Sequence, residues 1–291
     1  MQFEDKALAF TCAGDRLYGV ASVPATPAPR GVLIVVGGPQ YRAGSHRQFV
    51  MLARQLAAAG VPAMRFDYRG MGDSAGAPRD FSDIGDDIQA ALDQFFAVVP
   101  GMTEVVLWGL CDGASAPLCQ TGLDPRVTGM VLLNPWVRTD HGIAKTTLKH
   151  YYRARLLEAE LWRKILQGQF DYAGAVKSFA ALVAAAFRSG RARPANAAND
   201  ADAVARAALP LPERMGAGLA AFRGKVLLIL SGADLTAQEF SDMAAASPSW
   251  RKLLASPRVT RRELPGADHT CSRRAWRDQV GSWTCDWVRS W

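Results

Sequence analysis

Residues Val105-Val106-Leu107-Trp108-Gly109-Leu110-Cys111-Asp112-Gly113-Ala114-Ser115-Ala116 read as a buried strand that turns through Gly-x-Cys-x-Gly into a helix of small residues. No other stretch constrains the fold as much, because a strand and a helix must join here with no loop between them. A side chain on so sharp a turn sits in a strained backbone conformation, and the residues two before and two after it have to be small. Gly109 and Gly113 meet that need. The layout is that of a nucleophile elbow, with a thiol where serine usually stands. The following helix directs its N-terminal N–H groups and dipole at the thiol, favouring thiolate and a developing oxyanion. The motif is short, and Cys111 also fits a buried core thiol, since cysteine is among the most buried residue types. Partners elsewhere in the chain have to decide.

Around this turn, hydrophobic runs alternate with helical patterns in the order of a mostly parallel, doubly wound α/β sheet. Leu8 to Cys12 and Leu17 to Val23 predict a leading antiparallel hairpin. Strands are expected at Gly31 to Gly38, Val61 to Tyr68, Glu104 to Leu110, Val127 to Asn134, Lys225 to Ser231 and Val259 to Leu264. Helices are expected at Ser45 to Ala59 (capped by Ser45), Ser82 to Val99, Asp112 to Gln120, Leu235 to Met243 and Arg273 to Trp291. The tryptophans of the last helix, Trp276, Trp283 and Trp287, are expected to pack on the sheet. From about 138 to 222 the pattern is helical without a convincing strand. The expected organisation is a core of 1–137 and 223–291 with a helical lid inserted at 138–222 over the site.

With 291 residues, 49% of them hydrophobic, the chain accommodates one large α/β domain with such an insertion. Met1 to Asp5 lacks the basic and apolar regions of a signal peptide, and no apolar run reaches the roughly 20 residues of a membrane span. A cytoplasmic protein with no membrane insertion is expected. Cys12, Cys111, Cys119, Cys271 and Cys285 form no C-x-x-C pair, and His46, His141, His150 and His269 show no metal-ligand spacing, so neither disulfides nor a metal or other cofactor is expected. The net charge of +7 comes mainly from arginine clusters. These read as solvated helix faces, or as attraction for an anionic partner such as a carrier protein or a phosphate-bearing acyl donor. No nucleic-acid-binding motif accompanies them.

A thiol nucleophile requires a base, and the base an orienting acid. Asp234 follows the run Leu228-Ile229-Leu230-Ser231-Gly232-Ala233, and His269 follows Leu264-Pro265-Gly266-Ala267-Asp268, both at strand C-terminal ends, where open α/β sheets place their ligands. The expected triad is Cys111, His269 and Asp234. Asp234 also fits a helix N-cap, and Asp268 is a neighbouring acid that ordinarily points away from the imidazole. The oxyanion hole is expected to use the backbone N–H of Asp112 and a second donor from the turn after GVLIVV. Pro39 has no N–H, which leaves Gly38 or Gln40, the latter through backbone or side chain. Arg42 and His46, near that turn, are candidates for a substrate carboxylate or phosphate, and Arg42 fits a solvated loop as well. Tyr151 and Trp162 are candidates for an acyl or sugar-ring pocket, and core packing explains them equally. A reversible disulfide between Cys111 and Cys271 is a further option if the two sulfurs approach.

The chain resembles the α/β-hydrolase superfamily over essentially its whole length. The resemblance is carried by Arg65-Phe66-Asp67-Tyr68-Arg69-Gly70-Met71-Gly72-Asp73-Ser74, Gly109-Leu110-Cys111-Asp112-Gly113, Ser231-Gly232-Ala233-Asp234 and Gly266-Ala267-Asp268-His269. It implies an α/β-hydrolase fold in which the DYRGMGDS turn is structural. The usual His-Gly after the first parallel strand is here replaced by Val36-Gly37-Gly38 or Gly37-Gly38-Pro39, depending on register. More narrowly, GVLIVVGGPQYRAGSHRQF and WGLCDGASA resemble the first of two hydrolases found with exosortase-A systems. That implies an association with exopolysaccharide production or export.

Attack by Cys111 on an ester or thioester gives an S-acyl enzyme, itself a thioester, which reacts more readily with amines and thiols than with water. The leading expectation is a small-molecule acyl-ester or acyl-thioester hydrolase, its donor free or CoA- or carrier-bound. The alternatives are an acyltransferase to a sugar, amine or carrier thiol, and a catalytically silent binding scaffold. Oligomeric state is not readable from the sequence.

Overall fold

The computed structural model describes residues 2–38, 40–120, 122–137 and 209–291. Two long strands open it, β1 (Phe3–Cys12) and β2 (Asp15–Pro24), paired antiparallel through a tight turn at Ala13 and Gly14. Then come β3 (Arg30–Val35), α1 (Gln48–Ala58), β4 (Ala63–Asp67), α2 (Gly85–Val98), β5 (Glu104–Leu110), α3 (Asp112–Cys119) and β6 (Val127–Leu133). After the undescribed stretch follow α4 (Leu211–Ala221), β7 (Lys225–Ser231), α5 (Leu235–Ala246), α6 (Pro248–Leu254), β8 (Val259–Leu264) and α7 (Arg274–Arg289).

The eight strands form one sheet in the order β1-β2-β4-β3-β5-β6-β7-β8. β1, β2 and β4 pair antiparallel, and every pairing from β4 to β8 is parallel. Strand order reverses at β3, which lies between β4 and β5. Such a switch point opens a crevice at the C-terminal ends of the strands. The loops after β3 and β5 meet there.

Side chains alternate between two core layers, as the strand period requires. Leu33, Val35, Val105 and Leu107 face one layer with Ile88, Leu92 and Phe95 of α2. Val32, Ile34, Val106, Trp108 and Leu110 face the other, with Phe49 and Leu56 of α1 and Val280, Trp287 and Val288 of α7. Burial on both faces is why the central strands β3, β5 and β7 read as apolar runs, whereas the edge strand β8 exposes Arg261, Arg262 and Glu263. The tryptophans of α7 pack as expected: Trp287 is buried, and Trp276 and Trp283 lie partly buried against the same layer.

Three local differences from the sequence reading have physical causes. α1 begins at Gln48 rather than Ser45, because His46 (φ 53°) and Arg47 (φ 60°) adopt left-handed conformations within a short 3₁₀ turn. α6 is an additional helix, with Ser247 as its N-cap and Pro248 in its first turn. α4 lies inside the stretch read as insertion, yet its Met215 and Leu219 are buried in the α2 core layer. It approaches α3 so closely that a Cβ at Gly218 would overlap the Leu118 carbonyl. The core layer therefore extends into 211–221. The remainder of the expected lid, 138–208, lies outside the described residues.

Candidate active site

β5 ends at Leu110, α3 starts at Asp112, and Cys111 alone makes the turn with φ 62° and ψ −126°. For a residue with a side chain this conformation costs about 1–3 kcal/mol, and surrounding structure has to impose it. Its carbonyl accepts from Ser115 N at 3.2 Å and from Trp136 N at 3.2 Å, while Ser115 Oγ donates to Trp136 O at 2.7 Å. The flanking glycines make the turn possible. A Cβ on Gly109 would overlap the backbone of Gly113 and Ala114, and one on Gly113 would lie 2.5 Å from the Val35 carbonyl.

Three loops bring Cys111, His269 and Asp234 together. The imidazole of His269 hydrogen-bonds the Cys111 side chain, and its Nδ1 lies 2.9 Å from Asp234 Oδ2. Asp234 also serves as the N-cap of α5: its Oδ1 accepts from Thr236 N at 3.1 Å and its Oδ2 from Ala237 N at 3.2 Å. One carboxylate thus both caps α5 and contacts the imidazole. Asp268 turns away and accepts from Ser272 N at 2.8 Å and from its hydroxyl. The Asp234 carboxylate, and then the Cys111 side chain, push His269 from its ordinary 6.5 up to about 10.

A residue that sequence reasoning missed anchors the histidine loop. Asn134 closes β6 in a left-handed conformation, φ 48°, fully buried. Its Oδ1 accepts from Ser231 N at 2.8 Å, and its Nδ2 donates to Ser231 Oγ at 3.0 Å and to the His269 carbonyl at 3.3 Å. The available signal was the amide residue that ends the run VTGMVLLN directly after four apolar residues. Behind His269, Cys271 is buried, its thiol bonds the Ser231 hydroxyl, and burial pushes it up to about 11. Such a thiol is a poor redox partner at neutral pH.

The turn after β3 is packed against Asp112. Gly38 N donates to Asp112 Oδ2 at 2.7 Å, and Gly113 N to Asp112 Oδ1 at 3.0 Å. A Cβ on Gly37 would overlap that carboxylate. Gln40 turns its amide toward α1, its Oε1 accepting from Gln48 Nε2 at 3.5 Å.

Of the expected substrate contacts, Arg42 is instead part of the framework. Its guanidinium pairs with Asp67, which is fully buried, and lies 2.7 Å from Asp73 Oδ2, while Arg42 N donates to Asp67 Oδ1 at 2.7 Å. A buried carboxylate at the end of β4 requires such a cation, so little of the arginine's charge is left for a substrate. Beside it, the buried Arg69 grips Asp87 through two bonds of 2.9 Å. His46 is exposed on its 3₁₀ turn and interacts electrostatically with Asp268. Tyr151 and Trp162, like His141 and His150, lie outside the described residues. Among the described residues, no helix is long and apolar enough to cross a membrane.

A doubly wound sheet, an elbow at its centre and a histidine–carboxylate pair on the loops after β8 and β7 define the class: an α/β hydrolase. The chain belongs to that family, since the model of the alpha/beta hydrolase family matches residues 32–280. Among solved structures, the chain is similar to the Pyrococcus furiosus esterase Pf2001, with a TM-score of 0.64 and 16% identity over 99% of this chain and 93% of that one. DcsB, solved with a substrate analogue, gives 0.62 and 16% over 99% of each chain. Est1E from Butyrivibrio proteoclasticus, solved with ferulic acid, gives 0.62 and 16% over 97% and 98%. At such identities the likeness is one of fold. No curated protein sequence matches this chain.

Proposed function

We propose that the chain is a carboxylic-ester or thioester hydrolase working through Cys111, His269 and Asp234 and an S-acyl-enzyme intermediate. The observation that carries this reading is the hydrogen-bonded series from Asp234 through His269 to a cysteine held at φ 62° on the elbow. The Cys111 thiolate attacks the acyl carbonyl; a C–S bond forms and the carbonyl electron pair moves onto oxygen. As that pair returns, the bond to the alcohol or thiol breaks, and the His269 Nε2 proton passes to the leaving group. The sulfur is then neutral in a thioester, so one of the groups that raised His269 is gone and its pKa falls. Neutral His269 takes a proton from water as that water attacks the thioester. Collapse releases the carboxylic acid and restores the thiolate–imidazolium pair.

The thiol nucleophile supports a second reading, acyl transfer to an amine, thiol or sugar hydroxyl, because a thioester intermediate reacts with amines and thiols faster than with water. The resemblance of residues 31–49 and 108–116 to a hydrolase found with exosortase-A systems suggests exopolysaccharide production or export as the setting. Unaltered exopolysaccharide output from cells carrying only Cys111→Ala would count against that setting.

The deciding experiment is intact-protein mass spectrometry after exposure to short and medium p-nitrophenyl esters and acyl-CoAs, with Cys111→Ala and His269→Ala alongside. An adduct on Cys111 that clears in water supports hydrolysis. One that persists until an amine, thiol or sugar is added moves the assignment to transfer. No adduct and no turnover with any donor would sink both and favour a binding scaffold.

A further inference from the structure

We infer that the Asp112 side chain is an internal ligand of the oxyanion cradle, which an incoming acyl carbonyl has to displace before Cys111 can be acylated. The inference rests on the proposed role of Cys111 and concerns the donors beside it. Gly38 is one of the two residues of the β3 turn expected to donate to the oxyanion, and its N–H is already engaged by Asp112 Oδ2 at 2.7 Å. The other carboxylate oxygen takes Gly113 N at 3.0 Å, and the Asp112 N–H, the elbow's own donor, also bonds this carboxylate. Three backbone N–H groups therefore converge on one anionic side chain. That is the ligand set a tetrahedral oxyanion would call for.

The fit is built in. Gly37 leaves the space in which the carboxylate lies, since a Cβ there would overlap Asp112 Oδ1. An acid at the first position of a helix ordinarily points to solvent and gains only from the dipole. Asp112 instead folds back across the elbow to a different loop, 74 residues away in sequence. Burial holds its carboxyl above the ordinary value despite the donors from Gly38 and Gly113, so the anion is poorly compensated where it sits. A ligand held in this way can be displaced by a carbonyl on its way to becoming an oxyanion. While in place, it denies the cradle to other carboxylates, including the acid that hydrolysis would release.

Asp112→Ala empties the cradle, and Asp112→Asn keeps the shape but removes the charge. The readouts are p-nitrophenyl acetate turnover, its inhibition by acetate and butyrate, and alkylation of Cys111 by iodoacetamide, a displacement at saturated carbon that forms no oxyanion. With Asp112→Ala, KM is expected to fall about tenfold, the scale of one charge-assisted hydrogen bond. Acetate becomes a competitive inhibitor of this variant but not of the wild type, and alkylation changes by less than about threefold, the scale of a surface charge change. Asp112→Asn falls between the two, and decides the matter if the alanine variant does not fold. An unchanged KM with a lowered kcat, or acetate acting alike on wild type and variant, overturns the inference. Failure of the Cys111 reading would look different: iodoacetamide would not label Cys111 in the wild type, or Cys111→Ala would keep its turnover.

Discussion

Replacing Asp234 by Asn separates the two duties of that carboxylate. As a helix cap it accepts from Thr236 N and Ala237 N, and as the acid of the site it holds His269 Nδ1 at 2.9 Å. Asn is nearly as good a cap as Asp, so the loss there is about 1 kcal/mol at most. For a chain of this size that moves the melting temperature by no more than about 2–4 °C. Catalysis is hit far harder. The amide lacks the charge that raises His269, and its NH₂ cannot accept from Nδ1–H, so the ring turns to the wrong tautomer. In a nucleophile–His–acid triad this substitution costs about 10⁴ in kcat. The assay is single-turnover acylation of Cys111 by p-nitrophenyl acetate, read by p-nitrophenolate release, with thermal melts of the same preparations. The reasoning fails if acylation stays within about tenfold of wild type, or if the melting temperature drops by more than about 10 °C, well beyond the loss of a cap.

Four further outcomes are expected. Asn134→Ala loses its bonds to Ser231 and His269, about 2–3 kcal/mol at roughly 1 kcal/mol each, and lowers kcat; Asn134→Gly relieves the positive φ and regains some stability but not the activity, as urea unfolding beside turnover would report. Gly109→Ala forces a Cβ into the Gly113 backbone and is expected to give insoluble or inactive protein; a soluble variant with half the wild-type rate would contradict the elbow packing. Asp87→Ala leaves the buried guanidinium of Arg69 with only the exposed Asp86, 3.6 Å away, and is expected to cost about 3 kcal/mol, measurable as a shifted urea midpoint. His269 has a folded pKa of about 10 against an ordinary 6.5. A raised pKa means that its contribution to stability is complete below pH 6.5 and is lost as pH climbs through 10. Urea midpoints of wild type and His269→Gln, compared from pH 6 to 10.5, are expected to converge toward the alkaline end.

What could be read from the sequence was local. β5 and β7 have the boundaries expected of them, because strands buried on both faces are uninterrupted apolar runs with polar or glycine ends. β8 also has its expected boundaries, although as an edge strand it exposes Arg261, Arg262 and Glu263. The elbow was legible because its steric demand falls on residues two positions either side of Cys111. Asp234 and His269 were legible because a strand's C-terminal end is a place that the pattern itself marks. Where the reading went astray, the deciding partner was distant in sequence. Arg42 has the sequence context of a surface cation near a crevice, but Asp67, 25 residues away, lies beneath it. Asp112 has the context of an ordinary acid at a helix start, and nothing within ten residues of it announces Gly38.

Arg42 and Asp112 obey one rule of solvation. A carboxylate that closes or follows a buried strand has little water to solvate it, and leaving it unpaired costs far more than a surface interaction returns. Asp67 closes β4, a strand buried at every position, and Asp112 follows β5 by two residues. Each therefore required a donor from another element. The crossing at β3 limits where that donor lies, since the turn after β3 is the loop adjacent to both strand ends. Its residues are Val36 to Arg47, with Arg42 as a cation and Gly37-Gly38 as the stretch free of side chains. Matching the cation to the deeper carboxylate and the bare backbone to the one beside the thiol follows from size alone, because a guanidinium beside the elbow would fill the space a substrate carbonyl needs. The framework contact of Arg42 and the occupancy of the cradle by Asp112 are thus two consequences of one loop serving two buried strand ends.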